Sequence, residues 1–77
     1  MDMNLDYVKT QRGLDFVKKG MRVECTYNGK KGIIKGGNRD GNLDILFDGE
    51  KRSDNCHPTW AMKYFDEDGN VLAEYPQ

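Results

Sequence analysis

The sequence predicts an all-β fold, a small barrel or sandwich of five to six short antiparallel strands. Three observations carry this. Apolar side chains recur at period two, as in Met21, Val23 and Cys25 or in Leu43, Ile45 and Phe47, which is the spacing of a half-buried strand. Turn-forming residues separate these stretches: Asn28-Gly29, Asp48-Gly49 and Asp66-Glu67-Asp68-Gly69. No segment carries the apolar repeat of a long helix.

Residues 1–13 have the weakest pattern and read as an N-terminal extension, weakly ordered or folded into a short helix. Leu5 and Val8 fall on one side of a single helical turn, with Asn4 or Asp6 as its cap and Gly13 as its end. Residues 14–77 form the barrel domain. Its first strand spans Met21 to Tyr27, with Met21, Val23, Cys25 and Tyr27 on one face. Asn28-Gly29 then makes a tight hairpin turn, because both residue types tolerate positive φ. The second strand runs from Lys30 to Lys35 with Ile33 and Ile34 pointing inward, and residues 36–41 form a loop of turn formers. Leu43 to Asp48 is the third strand, and Glu50 to Ser53 a short charged one suited to a sheet edge. Pro58 forces His57 to be extended and starts a short 3₁₀ turn near Pro58–Trp60. Ala61 to Phe65 and Val71 to Tyr75 complete the set, and closure into a small shell is expected.

A chain of 77 residues holds one domain, and one this small has a thin core, which favours a binding surface over a deep catalytic cavity. Charged residues make up 32% and apolar ones 36%, enough to fold. No apolar run approaches the ~20 residues of a membrane helix, so no membrane partner is expected. The opening residues, MDMNLDYVK, lack the apolar block of a secretory signal, so the expected location is the cytoplasm. Cys25 and Cys56 are too few for a disulfide framework; a single disulfide between them is the alternative to the free thiols expected in a reducing compartment. The net charge of −1 conceals a split: residues 1–39 carry nine Lys/Arg against four Asp/Glu, and residues 40–77 three against nine. A strongly basic domain would point to nucleic acid; this one does not.

The stretch Gly29–Gly41, GKKGIIKGGNRDG, contains five glycines and four cations. It has neither the Lys-Ser/Thr ending of a Walker loop nor a following helix, and it lacks the spacing of a dinucleotide fingerprint. Its glycines read as turn and bend formers, with Gly32 letting the strand bend as a small barrel requires.

Three stretches carry a resemblance: Phe16-Val17-Lys18-Lys19-Gly20-Met21-Arg22-Val23, Asn28-Gly29-Lys30-Lys31-Gly32-Ile33-Ile34, and Leu43-Asp44-Ile45-Leu46-Phe47-Asp48-Gly49. Over residues 16–65 they resemble the small SH3-like barrels of the KOW and Tudor kind, and the segment His57-Pro58-Thr59-Trp60 resembles short phage- and prophage-encoded proteins of that shape. The resemblance implies an SH3-like barrel, a fold that hosts RNA binders, peptide readers and structural modules.

The expected function is a non-enzymatic binding module for a protein or peptide, acting through loops and an edge strand, with no cofactor. Tyr27, His57, Trp60 and Tyr64 are the candidate contact residues, Tyr27 and Trp60 being the preferred exposed aromatics. The alternative is RNA or DNA binding through Lys30, Lys31, Lys35, Arg39, Lys51 and Arg52, with Tyr27 as a stacking platform. Set against it is a solvated strand face whose cations pair with Asp44, Asp48 and Glu50. A third reading is a metal or catalytic protein using Cys25, Cys56 and His57. Structural zinc wants four ligands and usually a closely spaced Cys pair, and neither is present. Cys56 and His57 are adjacent, so in an extended chain they project to opposite sides. No catalytic residue and no metal ligand is therefore assigned.

Overall fold

The computed structural model describes residues 3–77. It contains one helix, α1 (Met3–Arg12), followed by six strands: β1 (Arg22–Cys25), β2 (Lys30–Gly37), β3 (Leu43–Phe47), β4 (Asp54–Cys56), β5 (Met62–Phe65) and β6 (Val71–Tyr75). All adjacent strands pair antiparallel in one sheet of order β4-β3-β2-β1-β5-β6. The fold is therefore a small, barrel-like, nearly all-β domain. Its extents of 27 × 26 × 24 Å are almost equal, as a strongly curled sheet requires. The hydrogen-bonded ladder nevertheless stops at β4 and β6, so the expected closed shell remains open along those two edges.

The core follows the period-two pattern. Leu43, Ile45 and Phe47 of β3 are buried together with Val23 of β1, Ile34 of β2, and Met62 and Tyr64 of β5. β2 departs from expectation in how its isoleucines face. Ile34 alone points inward, while Ile33 lies half-buried on the outer face opposite Leu46, because successive side chains of a strand alternate. Gly32 faces the core side directly under β3. A Cβ there would meet the Leu46 carbonyl oxygen and come within 2.8 Å of the Phe47 Cα, so only glycine permits this approach.

The N-terminal segment is a helix of ten residues rather than a single turn, and Leu5 and Val8 belong to the main core. Met1 and Asp2 of the expected 1–13 extension lie outside the described residues. Asn4 and Asp6, the expected caps, sit inside the first turn, where Asp6 meets the positive end of the helix dipole. Gly13, with φ of 68°, ends the helix as expected. The helix rests on β2 at Gly37, where a Cβ would lie 2.6 Å from the Asn4 carbonyl oxygen and 2.7 Å from the Leu5 Cα. That contact explains why Gly36 and Gly37, expected in a loop, instead continue the strand.

Three further boundaries move. The β1–β2 connection has four residues, Thr26–Gly29, between the paired Cys25 and Lys30, not two. Only Gly29 takes positive φ there; Asn28 contributes its side-chain oxygen, which accepts the Lys30 amide at 3.0 Å. The edge strand expected at Glu50–Ser53 forms at Asp54–Cys56, because residues 48–53 are used by the turn at Gly49 and the bends after it. Pro58 and Thr59 form a plain turn followed by bends, not the expected 3₁₀ segment.

The remaining loop is built around Asn38. Its side-chain oxygen accepts the amides of Asp40 and Asn42, and its Nδ2 donates to Asp44 and Asn55. Arg12 clamps the same loop, donating to the Gly41 carbonyl at 2.9 Å and the Asn42 side chain at 3.0 Å. The helix end and the β2–β3 loop are thereby fixed to one another.

Candidate aromatic binding surface

Tyr27 and Trp60 are 33 residues apart when their numbers are subtracted, yet their rings meet on the surface. The ring centroids lie 5.5 Å apart at an interplanar angle of 40°. Both remain open to solvent, Tyr27 at 65% and Trp60 at 46% of full exposure. Exposed aromatics in contact offer large area at low rotamer cost, which suits them to hold a partner.

Backbone contacts place each ring. Tyr27 is held by a hairpin loop tied at both ends: the Gly29 amide donates to the Cys25 carbonyl at 2.8 Å, and the Thr26 amide donates to the Ala61 carbonyl at 2.8 Å. Trp60 is fixed from both sides. Before it, the buried Pro58 offers its carbonyl to the Tyr64 hydroxyl at 2.6 Å. After it, Ala61 takes a left-handed φ of 53° while fully buried, and its amide donates to the Pro76 carbonyl at 3.1 Å. A left-handed alanine costs roughly 1–2 kcal/mol, so the surrounding contacts hold this bend against the local preference. The same residue thus redirects the chain after Trp60 and binds the loop that carries Tyr27. Nothing in the sequence marks Ala61, since the residue expected at positive φ is glycine.

The other two predicted contact residues stand apart. Tyr64 is completely buried, packed edge-on against Phe16 (centroids 5.3 Å apart) and Tyr75 (6.1 Å). Burial pushes its phenol pKa up, with Tyr75 and Cys56 adding to the effect. It supports the turn below Trp60 and cannot touch a partner, which corrects its place among the contact residues. His57 is exposed, but its Nδ1 faces the Thr59 amide at 3.2 Å, and among the described residues no hydrogen bond or ring contact joins it to the aromatic pair.

The cations of the alternative reading lie at the start of β2, further along it and in two loops, one of which meets the start of β2 through Glu50 and Asp48. Lys30 forms an ion pair with Glu50 at 3.1 Å, and this hydrogen bond and charge raise its pKa. Lys31 pairs in register with Glu24, and Lys35 sits at the bulge in β2, roughly 16 Å along the strand from Lys30. Arg39, Lys51 and Arg52 are exposed in two separate loops. Of the three expected acidic partners, Glu50 meets Lys30, Asp48 instead pairs with Arg22 at 3.2 Å, and Asp44 accepts from Asn38.

Cys25 and Cys56 are free thiols, each half-buried against the core. Burial pushes the Cys56 thiol up to about 11, and the nearby Cys25 contributes in the same direction. A thiol so raised is protonated near neutrality and is a poor nucleophile. No described helix is long and apolar enough to cross a membrane. Comparison with family models, curated proteins and solved structures finds no match to this chain.

Proposed function

We propose that this chain is a non-enzymatic binding module that takes a protein or peptide partner on the exposed Tyr27–Trp60 pair. The observation that carries this reading is the contact itself: two large aromatics from distant loops meet while both stay solvated. A core that needed these rings would have buried them, as it buries Tyr64. The rigid backbone beneath them favours a preformed surface, which loses little entropy on binding. The pairing of Lys30 with Glu50 and the net charge of −1 favour a protein partner over a nucleic acid. The raised Cys56 thiol and the outward-facing, solitary His57 favour binding over catalysis. Within this reading the chain is an SH3-like barrel of the KOW and Tudor kind, similar to short phage and prophage proteins. It works without a cofactor in the cytoplasm, where its thiols stay reduced.

Amide and indole chemical shifts during titration with a peptide library test the proposal. Shifts centred on Tyr27 and Trp60 are expected. Parallel titration with single- and double-stranded oligonucleotides is expected to leave Lys30, Lys31 and Lys35 unmoved. Oligonucleotide binding that weakens steeply with salt and moves those lysines would replace the proposal with the nucleic-acid reading.

A further inference from the structure

The segment leading into β1 and the β5–β6 hairpin form two walls of an open groove of about 750 Å³. Phe16 and Met21 from the first wall and Phe65 and Leu72 from the second make it apolar. Lys18 and Lys19 border the first wall, and Asp66, Glu67 and Asp68 the second. The two signs do not cancel by direct contact. Among the described residues no ion pair spans the groove, since Arg22 turns to Asp48 and Asp66 accepts the amides of Asp68 and Asn70.

Leu72 belongs both to this groove and to β6, whose outer side has no strand beside it among the described residues. The two sheet edges are protected unequally. β4 has three residues, one of them Asp54, and is flanked by Arg52 and Pro58. Short, charged, proline-flanked edges resist pairing. β6 has five residues, a single charge at Glu74, and two apolar side chains, Val71 and Leu72, that are about half exposed. It is the edge left available.

We propose that β6 and the adjoining groove dock an extended peptide segment of a partner protein, with an apolar residue seated between an acidic and a basic one. The peptide adds a further strand along β6, so its main chain supplies affinity and its alternate side chains supply specificity. Residues two before and two after the apolar anchor share its face, about 6.6 Å away on either side. One of these meets Lys18 and Lys19 and must be acidic; the other meets Asp66, Glu67 and Asp68 and must be basic. A segment of one sign would satisfy one wall and press a like charge on the other. A second copy of the chain fits less well. Pairing β6 with itself about Ala73 sets Glu74 opposite Leu72 and brings no cation to the acidic wall. This inference rests on the reading of the chain as a peptide-binding module, but it uses the far end of β5 from Trp60.

The probe is a capped heptapeptide, Thr-Asp-Thr-Phe-Thr-Lys-Thr, together with its reversed sequence to cover both strand directions. Amide shifts across Val71–Tyr75 and at Met21 and Arg22 are expected with one of them, saturating at about millimolar peptide or below. Leu72→Lys and, separately, the pair Lys18→Glu with Lys19→Glu are each expected to weaken binding by about tenfold or more, with folding checked from their own spectra. Tyr27→Ala with Trp60→Ala is expected to leave it unchanged. Silence of β6 with both peptides overturns the proposal, as does equal binding of forms carrying only Asp or only Lys. Shifts confined to Tyr27 and Trp60 overturn this site while leaving the aromatic surface standing. Sedimentation showing that the chain dimerises through β6 would assign the edge to a second copy instead.

Discussion

Replacing Gly37 with alanine probes how the helix is held on the sheet. The added carbon would lie 2.6 Å from the Asn4 carbonyl oxygen and 2.7 Å from the Leu5 Cα, both backbone atoms that cannot rotate away. Ordinary contact between carbons is about 3.5–4.0 Å, so α1 must lift by roughly 1 Å. A gap of that size forfeits about a quarter to a half of the packing gained by the side chains it opens. Leu5 and Val8, buried at 7% and 0% exposure, are the side chains concerned. Their burial is worth about 1.5–3 kcal/mol each, so the expected loss is about 1–3 kcal/mol. Reduced freedom of the unfolded chain returns about 0.4–1 kcal/mol of this. Urea unfolding followed by far-UV circular dichroism should show a midpoint lower by roughly 1 M, with a near-unchanged slope. Amide shifts should concentrate in residues 4–8. A midpoint that is unchanged or raised would refute the packing of α1 on Gly37.

Tyr64→Phe keeps the ring but leaves the buried Pro58 carbonyl unpartnered, and urea unfolding should show a loss of about 1–3 kcal/mol. Ala61→Val places a branched side chain at positive φ in a fully buried position; it should cost about 2–5 kcal/mol and change the emission of Trp60. The Cys56 thiol, raised by burial from 9.0 to about 11, stays protonated in the folded chain. Its contribution to stability is therefore present below pH ~9 and is lost as pH rises through about 11. Iodoacetamide at pH ~8 should label Cys56 about a hundredfold more slowly than an unperturbed thiol, read by peptide mass mapping; equal rates would contradict its burial. Tyr27→Ala and Trp60→Ala, which remove exposed rings, should each cost less than about 1.5 kcal/mol in the same urea titration.

The strands were legible where one face is buried. Leu43, Ile45 and Phe47 alternate in the sequence and all point inward, and Val71–Tyr75 forms as the polar turn before it implied. The pattern failed where tertiary contact overrode local preference. Gly36 and Gly37 are turn formers in isolation, but the missing side chain of Gly37 makes the seat for α1, and that requirement keeps the pair in β2. Leu5 and Val8 hinted at one helical turn; the core that recruits them comes from distant strands, so the full helix was not evident locally. Tyr27 and Trp60 could be singled out as aromatics beside turns, but their meeting depends on the curl of the sheet. Tyr64 was misplaced because an aromatic on a short strand carries no local mark of which face it takes. Its partner, the Pro58 carbonyl, exists only once the turn has formed.

Affinity capture with matched variants tests the central claim most directly. The wild-type chain, Tyr27→Ala with Trp60→Ala, and Lys31→Ala with Lys35→Ala are used as baits in nuclease-treated lysate of the native host. The account predicts a protein partner retained by the wild type and the lysine variant and lost from the aromatic variant. The same partner on the aromatic variant, or one that departs with nuclease or with Lys31 and Lys35, would contradict it.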